Sequence, residues 1–295
     1  MLKLIKVKVI NIMTKKKEKE SNMLVKLFLF LLFIGFIFIL YSYFIGTKGL
    51  FIREYAIINS KIPDNFNGFK IVHFSDLHYG TTIHKKEIEH IVETINNLKP
   101  DIVVFTGDLL DERITLSDTN INDLITNLNK IDASINKYII SGNHDIHPKY
   151  NYVLDNIDFI NLDNKNTEIY YKGINPLILV GIADEQEFDF NPLKAFNYQN
   201  ENNNYTILLT HEPDSILKLN EYNYDLVLAG HSHNGQIRIP LIGKIITPEG
   251  SKKYYDEKYE LNNHTMYISG GIGTSALPLR FMVKPSINLY RLYNH

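Results

Sequence analysis

Ile102-Val103-Val104-Phe105-Thr106-Gly107-Asp108-Leu109-Leu110-Asp111 is the stretch that decides the architecture. An apolar run of strand length stops at Gly107, and the next residue is a carboxylate at the strand's C-terminal end, where open α/β sheets build their sites. Taken alone, Gly-Asp is an ordinary turn pair. The same grammar recurs, however, at Ile71–His78, Tyr138–Asp145, Thr206–Glu212 and Leu226–His233, each time an apolar segment ending in small and ligand-type residues.

Working outward, Phe69–Phe74 reads as a buried strand, Lys85–Leu98 as an amphipathic helix and Ile102–Thr106 as the next strand, which makes a βαβ unit. A helix over Asn120–Ile131, a strand over Lys137–Ile140 and a short helix over Pro148–Leu154 follow. Later strands, at Leu177–Ile182, Tyr205–Leu209, Asp225–Leu228, Gln236–Ile239, Met266–Ile268 and Ile287–Leu292, come faster and with shorter links. That spacing predicts a second, antiparallel or mixed sheet, so the fold class is α/β with two sheets. The Asn-rich stretch Asn197–Asn204 reads as a loop.

The 295 residues suffice for one substantial core, and a net charge of -2 gives no reason to expect a nucleic-acid partner. With no cysteine in the chain, any metal must be held by imidazole, carboxylate or amide oxygen. Residues 1–22 form a basic leader, with Lys3, Lys6, Lys8, Lys15, Lys16, Lys17 and Lys19 against Glu18 and Glu20, expected to be disordered. Within 23–46, Leu27–Ile45 is almost unbroken Leu, Phe and Ile, long enough to cross a bilayer as a helix, with Tyr41 and Tyr43 suited to its interface. A core helix would show a polar face, and a cleaved signal peptide would be shorter and end in small residues, unlike Ser42-Tyr43-Phe44. An uncleaved single-pass anchor is expected, with the lysines cytoplasmic and everything after Thr47 outside. Residues 47–68 read as a connector with strand-like content at Glu54–Ile58, and 69–295 as the globular domain.

In Ser75-Asp76-Leu77-His78 the two ligand types are two apart, so in extended chain both point the same way and can share an ion; His231-Ser232-His233 repeats the spacing. Asp108 adds a carboxylate able to bridge two cations, Ser141-Gly142-Asn143-His144-Asp145 an amide oxygen and an imidazole, and His211 another imidazole. Seven oxygen and nitrogen ligands plus one spare histidine, all at strand ends, suit two metals with open positions for water.

The ordered set Asp76-x-His78, Gly107-Asp108-x-x-Asp111, Gly142-Asn143-His144-Asp145, His211 and Gly230-His231-x-His233 resembles the calcineurin-like metallophosphoesterase superfamily. The resemblance implies a four-layer αββα sandwich and phosphoester hydrolysis at a centre of two divalent ions of the Mn, Fe or Zn type. It implies one metal on Asp76, His78, Asp108 and His233 and a second on Asp108, Asn143, His211 and His231, with hydroxide from a bridging water attacking phosphorus in line. His144 resembles the family's general acid, and Asp111 the carboxylate that orients it.

The anchor, Ile62–Phe69 before the first metal strand, and Gly270–Ser275 with Pro278 and Arg280 resemble a bacterial membrane-linked branch, some members of which cleave lipid pyrophosphates such as UDP-diacylglucosamine. The implied substrate is a lipid-linked or envelope phosphate ester. A phosphomonoesterase or nucleotide-type phosphatase is the alternative, and a catalytically silent tethered binding domain would lack a ligand, whereas none is missing. Asn161–Asn204 and Ser251–Asn263 are the expected lids.

Overall fold

Strands that are apolar at every position must be buried on both faces, which requires a layer on each side of the sheet. The computed structural model describes residues 1–198, 203–245 and 247–295, with side chains set aside for 2–12 and 18; part of the Asn197–Asn204 loop therefore lies outside the described residues. Met1–Ile45 and Gly46–His295 are separate compact units.

The first unit is helix α1, Leu2–Tyr41, continued by a π turn over Ser42–Gly46 that ends in the first residue of the second unit. The helix runs straight through the leader expected to be disordered, because no glycine occurs before Gly35 and no proline before Pro63. Among the described residues, one helix is long and apolar enough to cross a membrane, Met13–Gly46, whose most apolar 18-residue window has mean hydropathy 2.9, and it contains the expected span.

In the second unit the elements run β1 (Phe51–Ile58), β2 (Lys70–Phe74), α2 (Lys85–Leu98), β3 (Ile102–Thr106), α3 (Asp118–Leu128), β4 (Asn136–Ile140), α4 (Tyr150–Asn156), β5 (Ile160–Asn161), β6 (Lys165–Ile169) and β7 (Leu177–Gly181). There follow α5 (Pro192–Ala195), β8 (Thr206–Thr210), β9 (Leu226–Ala229), β10 (Arg238–Ile239), β11 (Gly243–Lys244), β12 (Lys258–Glu260), β13 (Thr265–Ile268) and β14 (Ser286–Tyr293). Among the described residues they form two six-stranded mixed sheets, ordered β1-β14-β2-β3-β4-β5 and β12-β13-β9-β8-β7-β6, and the small hairpin β10-β11.

Alternate residues of β2 and β3 face opposite cores. Val72, Phe74, Val103 and Phe105 pack under α2 and α3, through Ile88, Ile91, Ile95, Ile121 and Leu124. Ile71, Ile102 and Val104 meet Leu179, Ile207, Leu209 and Leu228 of the second sheet. The outer face of that sheet, with Val180, Leu208 and Val227, is covered by Ala195 of α5 and by Ile216 and Leu219. The order is helix, sheet, sheet, helix, the sandwich the sequence implied, with a fourth layer of short helical pieces.

The segment read as a connector is part of this fold. β1 pairs with β14 along its whole length, from Phe51↔Ser286 to Ile58↔Tyr293, and Ile62 and Phe66 are fully buried. The strand-like content at Glu54–Ile58 is the second half of β1, but a parallel partner more than two hundred residues away in sequence leaves no local signal of the pairing.

Candidate metal centre

All five ligand-bearing turns leave the C-terminal ends of parallel strands β2, β3, β4, β8 and β9, so the topology gathers them at one end of the sandwich. The backbone there is not extended. Asp76, His78, Asp108, His231 and His233 all have φ between 42° and 66°. The extended-chain account of the Asp76/His78 pair is thus wrong: left-handed turns, sparse for residues other than glycine, aim both side chains inward. Gly107, at φ 88°, is required for a second reason, since a Cβ there would stand 2.5 Å from His211 Nδ1.

Among the described residues, four groups have ligand atoms within 4.8 Å of one another, and two of them match the expected ligand sets: Asp76, His78 and His233, and Asp108, His211 and His231. The spacing of His231 and His233 therefore divides them between groups. Asp108 Oδ2 joins the groups, 3.4 Å from His78 Nε2 and 3.3 Å from His211 Nε2. Its Oδ1 accepts the His144 backbone N–H at 2.9 Å. Asn143 Oδ1 lies 3.2 Å from His211 Nε2 on the second group's side.

Two hydrogen bonds set which ring nitrogens are left for a ligand: His211 Nδ1 donates to the Thr106 carbonyl at 2.7 Å, and His231 Nε2 donates to the Glu249 carbonyl. The Asp76 carboxylate accepts the His231 backbone N–H at 3.0 Å and holds that turn in place. His211 Nε2 and His231 Nδ1 are then turned on each other at 3.2 Å, and His78 Nε2 on His233 Nε2 at 3.3 Å. Atoms that share an ion at about 2.1 Å lie roughly 3.0–3.4 Å apart, so these imidazole contacts have the spacing of a metal's ligands, and the nitrogen and oxygen set suits a Mn, Fe or Zn ion.

Electrostatics divide the four imidazoles: burial lowers His78 and His211, but the neighbouring carboxylates, Asp111 at His78 and Asp108 at His211, outweigh it and raise both. Burial raises the Asp108 carboxyl, but His211, His78 and His144 outweigh it and hold it well below the usual carboxylate range. Burial, followed by His211, lowers the His231 imidazole to about 4, while burial and then the Arg280 guanidinium hold His233 well below its ordinary value. Both are neutral lone-pair donors at pH 7.

His144 stands on the wall of the cavity above this floor and belongs to neither of these two groups, although it also lies within 4.8 Å of His78 and Asp108 and of Asp111 and Glu112. Its partner is not Asp111. Glu112 Oε2 holds His144 Nδ1 at 2.7 Å, whereas the Asp111 carboxylate is committed to Arg113 Nε at 2.7 Å and faces His78 Nδ1 at 3.4 Å. Arg113, next but one in sequence, is what draws Asp111 away.

Three further residues act at the site, although the sequence motifs, two of which quote Asp145 and Arg280, assigned them no role there. Asp145 accepts four backbone N–H groups at 2.9–3.1 Å, from Asp108, Leu109, Leu110 and Gly142, and so shapes both the β3 and the β4 turns. Burial and the Asp108 charge push its carboxyl up to about 8, yet donors fill both oxygens, which is the geometry of the ionised form. Arg280, fully buried, donates to the Gly270 and Gly273 carbonyls and lies 3.1 Å from His233 Nδ1. Gln186 reaches the cavity from beyond β7. Asp145 lay inside the quoted Asn-His-Asp block and was the one a close reading could have found.

The cavity has a volume of about 340 Å³; from the floor it is lined by Asp108, Asn143, His231 and His233, and around them by Gln236, Ile237, Ile245, Pro248, Ser275, Ala276 and Leu277. Among the described residues, the expected lids contribute only Gln186 from 161–204 and nothing from 251–263, because most of 161–181 is spent on strands β5 to β7.

The chain matches the sequence pattern of the calcineurin-like phosphoesterases over residues 69–235, which holds every ligand block described above. It is 35% identical over 246 residues to the uncharacterized metallophosphoesterase YkuE of Bacillus subtilis, covering 81% of this chain and 84% of that one. It is 27% identical to the phosphodiesterase YaeI of Escherichia coli, covering 78% of this chain and 84% of the other. A zebrafish protein named as a transmembrane protein with a metallophosphoesterase domain is 26% identical, over 77% of this chain and 54% of its own length. With a sandwich whose strand ends converge on two imidazole and carboxylate clusters, and with these relatives, the chain belongs to the calcineurin-like phosphoesterase family and is a metal-dependent phosphoester hydrolase.

Proposed function

We propose that the chain hydrolyses a phosphodiester or pyrophosphate bond of a lipid-linked or cell-envelope substrate at a centre of two divalent ions. The observation that carries this reading is the single oxygen, Asp108 Oδ2, within 3.4 Å of a ring nitrogen from each ligand group and opening on the cavity. Asp76, His78, Asp108 and His233 would hold one ion, and Asp108, Asn143, His211 and His231 the other. When bound, the ions supply a bridging water of lowered pKa as the nucleophile and neutralise the phosphoryl oxygens.

As the nucleophile's bond to phosphorus forms, the bond to the leaving oxygen breaks, and His144 delivers its proton to that oxygen. Glu112 holds Nδ1 and so turns Nε2, 3.4 Å from Ser275 Oγ, into the cavity. No lysine or arginine is among the described lining residues, so the phosphoryl charge is left to the ions. The apolar wall of Ile237, Ile245, Ala276 and Leu277 supports a substrate with a hydrocarbon portion, and the name of the Escherichia coli relative supports a diester.

The full chain, purified in detergent with Mn²⁺, is expected to cleave an aryl phosphodiester and lipid pyrophosphates faster than an aryl monoester. Preference for the monoester would overturn the substrate class, and no turnover with metal bound would overturn the reaction. We further propose that Leu27–Ile45 anchors the chain with the hydrolase outside, as the lysine bias of residues 3–19 supports. Protease added to intact cells should then digest Gly46–His295, and protection would reverse the topology.

A further inference from the structure

The cavity is ringed on one side by a lip that the hydrolysis does not use. At the tip of hairpin β10-β11, Leu241 is fully exposed and Ile242 is 74% exposed, with Ile245 at 51%. Beside them the 275–282 loop presents Leu277 and Met282, at 54% and 65%. These are not two loose loops. Arg238 donates to the Phe281 carbonyl at 3.0 Å and Phe281 to the Gln236 carbonyl at 3.1 Å. The Gln236 side chain donates to the Ser275 and Leu277 carbonyls and accepts from the Ser275 N–H. The apolar side chains therefore stand on one hydrogen-bonded piece.

Leu241 and Met282 hold left-handed backbone, at φ 69° and 59°. A turn with that geometry favours glycine or asparagine, so nothing in the fold of the isolated chain calls for large apolar side chains there. Charge around the lip has the opposite sign to the chain as a whole. Arg238 is paired with Asp256, which leaves three lysines, Lys244, Lys252 and Lys253, against Glu249 and the Asp214 carboxylate that accepts the Lys252 and Lys253 backbone N–H groups, whereas the net charge overall is -2. Apolar residues at the tip with cations behind them are the pattern of a surface that sits in the interface of an anionic bilayer.

We propose that the lip docks on an anionic lipid surface, with Leu241, Ile242 and Met282 inserted between headgroups. Ile245 and Leu277 belong both to the lip and to the cavity wall, so the mouth opens at headgroup depth, where a phosphoester carried by a lipid would lie. The inference rests on the reading of Leu27–Ile45 as a membrane anchor and not on the choice of substrate.

The absence of cysteine makes the test direct. Leu241→Cys and, as control, Ile174→Cys, at a position 87% exposed outside the lip, are labelled with an environment-sensitive fluorophore. The full chain is placed in phosphatidylcholine and phosphatidylglycerol vesicles with or without a quencher-bearing lipid. The expected result is a blue shift and strong quenching at position 241 and neither at 174. Equal quenching at both positions, or none at 241, overturns the proposal. So does shielding of position 241 in detergent together with disulfide cross-linking of two copies of the unlabelled Leu241→Cys variant, which would make the lip a contact between protomers.

A second arm uses Leu241→Asp with Ile242→Asp, residues outside the cavity wall. The pair should retain turnover of a soluble aryl ester and lose turnover of a vesicle-embedded substrate; equal retention on both would also count against docking. Should no substrate be turned over at all, the quenching still reads the docking alone.

Discussion

Asp108 and Leu241 have nearly the same backbone, at φ 62° and 69°, and opposite surroundings. Asp108 is 1% exposed, with one oxygen on the His144 N–H and the other between two imidazoles; Leu241 is surrounded by solvent. Each left-handed residue costs about 1 kcal/mol or more. On the cavity floor that cost is offset inside the molecule, by Asp145's four N–H bonds and by neighbouring charges. On the lip, the exposed side chain of Leu241 gains no burial to offset it. Floor and lip thus differ in where their stabilisation comes from, and substitutions in each test that difference.

The largest effect is expected at the atom both ligand groups share. Asp108→Asn should lower turnover by roughly 10³-fold or more, as several kcal/mol of charge stabilisation are lost, and elemental analysis should find both ions depleted. Asp76→Asn should weaken mainly one. Equal, partial depletion in the two variants would argue against a shared ligand.

His144→Ala should keep its metal and lose roughly 10²- to 10⁴-fold in rate on an alkyl ester, while staying near normal on an activated aryl ester whose leaving group needs no proton. Glu112→Gln should follow the same leaving-group trend with a loss of about tenfold. Asp111→Asn, acting on His78 and Arg113, should change metal affinity instead. A leaving-group trend in Asp111→Asn and none in Glu112→Gln would restore the assignment made from sequence.

Asp145→Asn sets two forces against each other. If the N–H cradle dominates, an amide nitrogen facing two N–H donors should lower stability by about 3 kcal/mol, a fall of roughly 10 °C in Tm. If burial and the Asp108 charge dominate, the carboxyl is protonated below pH 8 and the substitution should be neutral or stabilising. The first outcome is expected, because all four donors lie at 2.9–3.1 Å.

The smallest effect belongs to the lip. Met282→Ser should change the turnover of a soluble ester by less than about twofold and the stability by less than about 0.5 kcal/mol, as at surface positions generally. A large loss of stability would mean that Met282 is held by contacts within the fold.

The floor was legible in sequence because each ligand follows an apolar strand and is flagged by glycine or by a second ligand type, so chemistry and secondary structure coincide at the same residues. Local pattern failed where partners are remote. The strand-like content at Glu54–Ile58 could not reveal that β1 pairs with β14, and Asp111 rather than Glu112 looks like the partner of His144 until Arg113 is seen to claim it. The leader was read from its charge, although Lys3, Lys6 and Lys8 alternate with Leu, Ile and Val and no glycine or proline stops a helix there. The lip carries no motif; its apolar residues acquire meaning only once the backbone brings 237–245 beside 275–282.

The position of β14, paired with β1 on one side and with β2 on the other, also sets an order of events. β1 and β2 are translated early but are not neighbours in the sheet; they wait for a strand made more than two hundred residues later. Until it arrives, the growing chain carries an unpaired strand edge at Ile71–Phe74, the kind of surface chaperones bind and other chains invade. Removing residues after Pro285 should therefore harm assembly on the ribosome far more than the distance from the metal site would suggest.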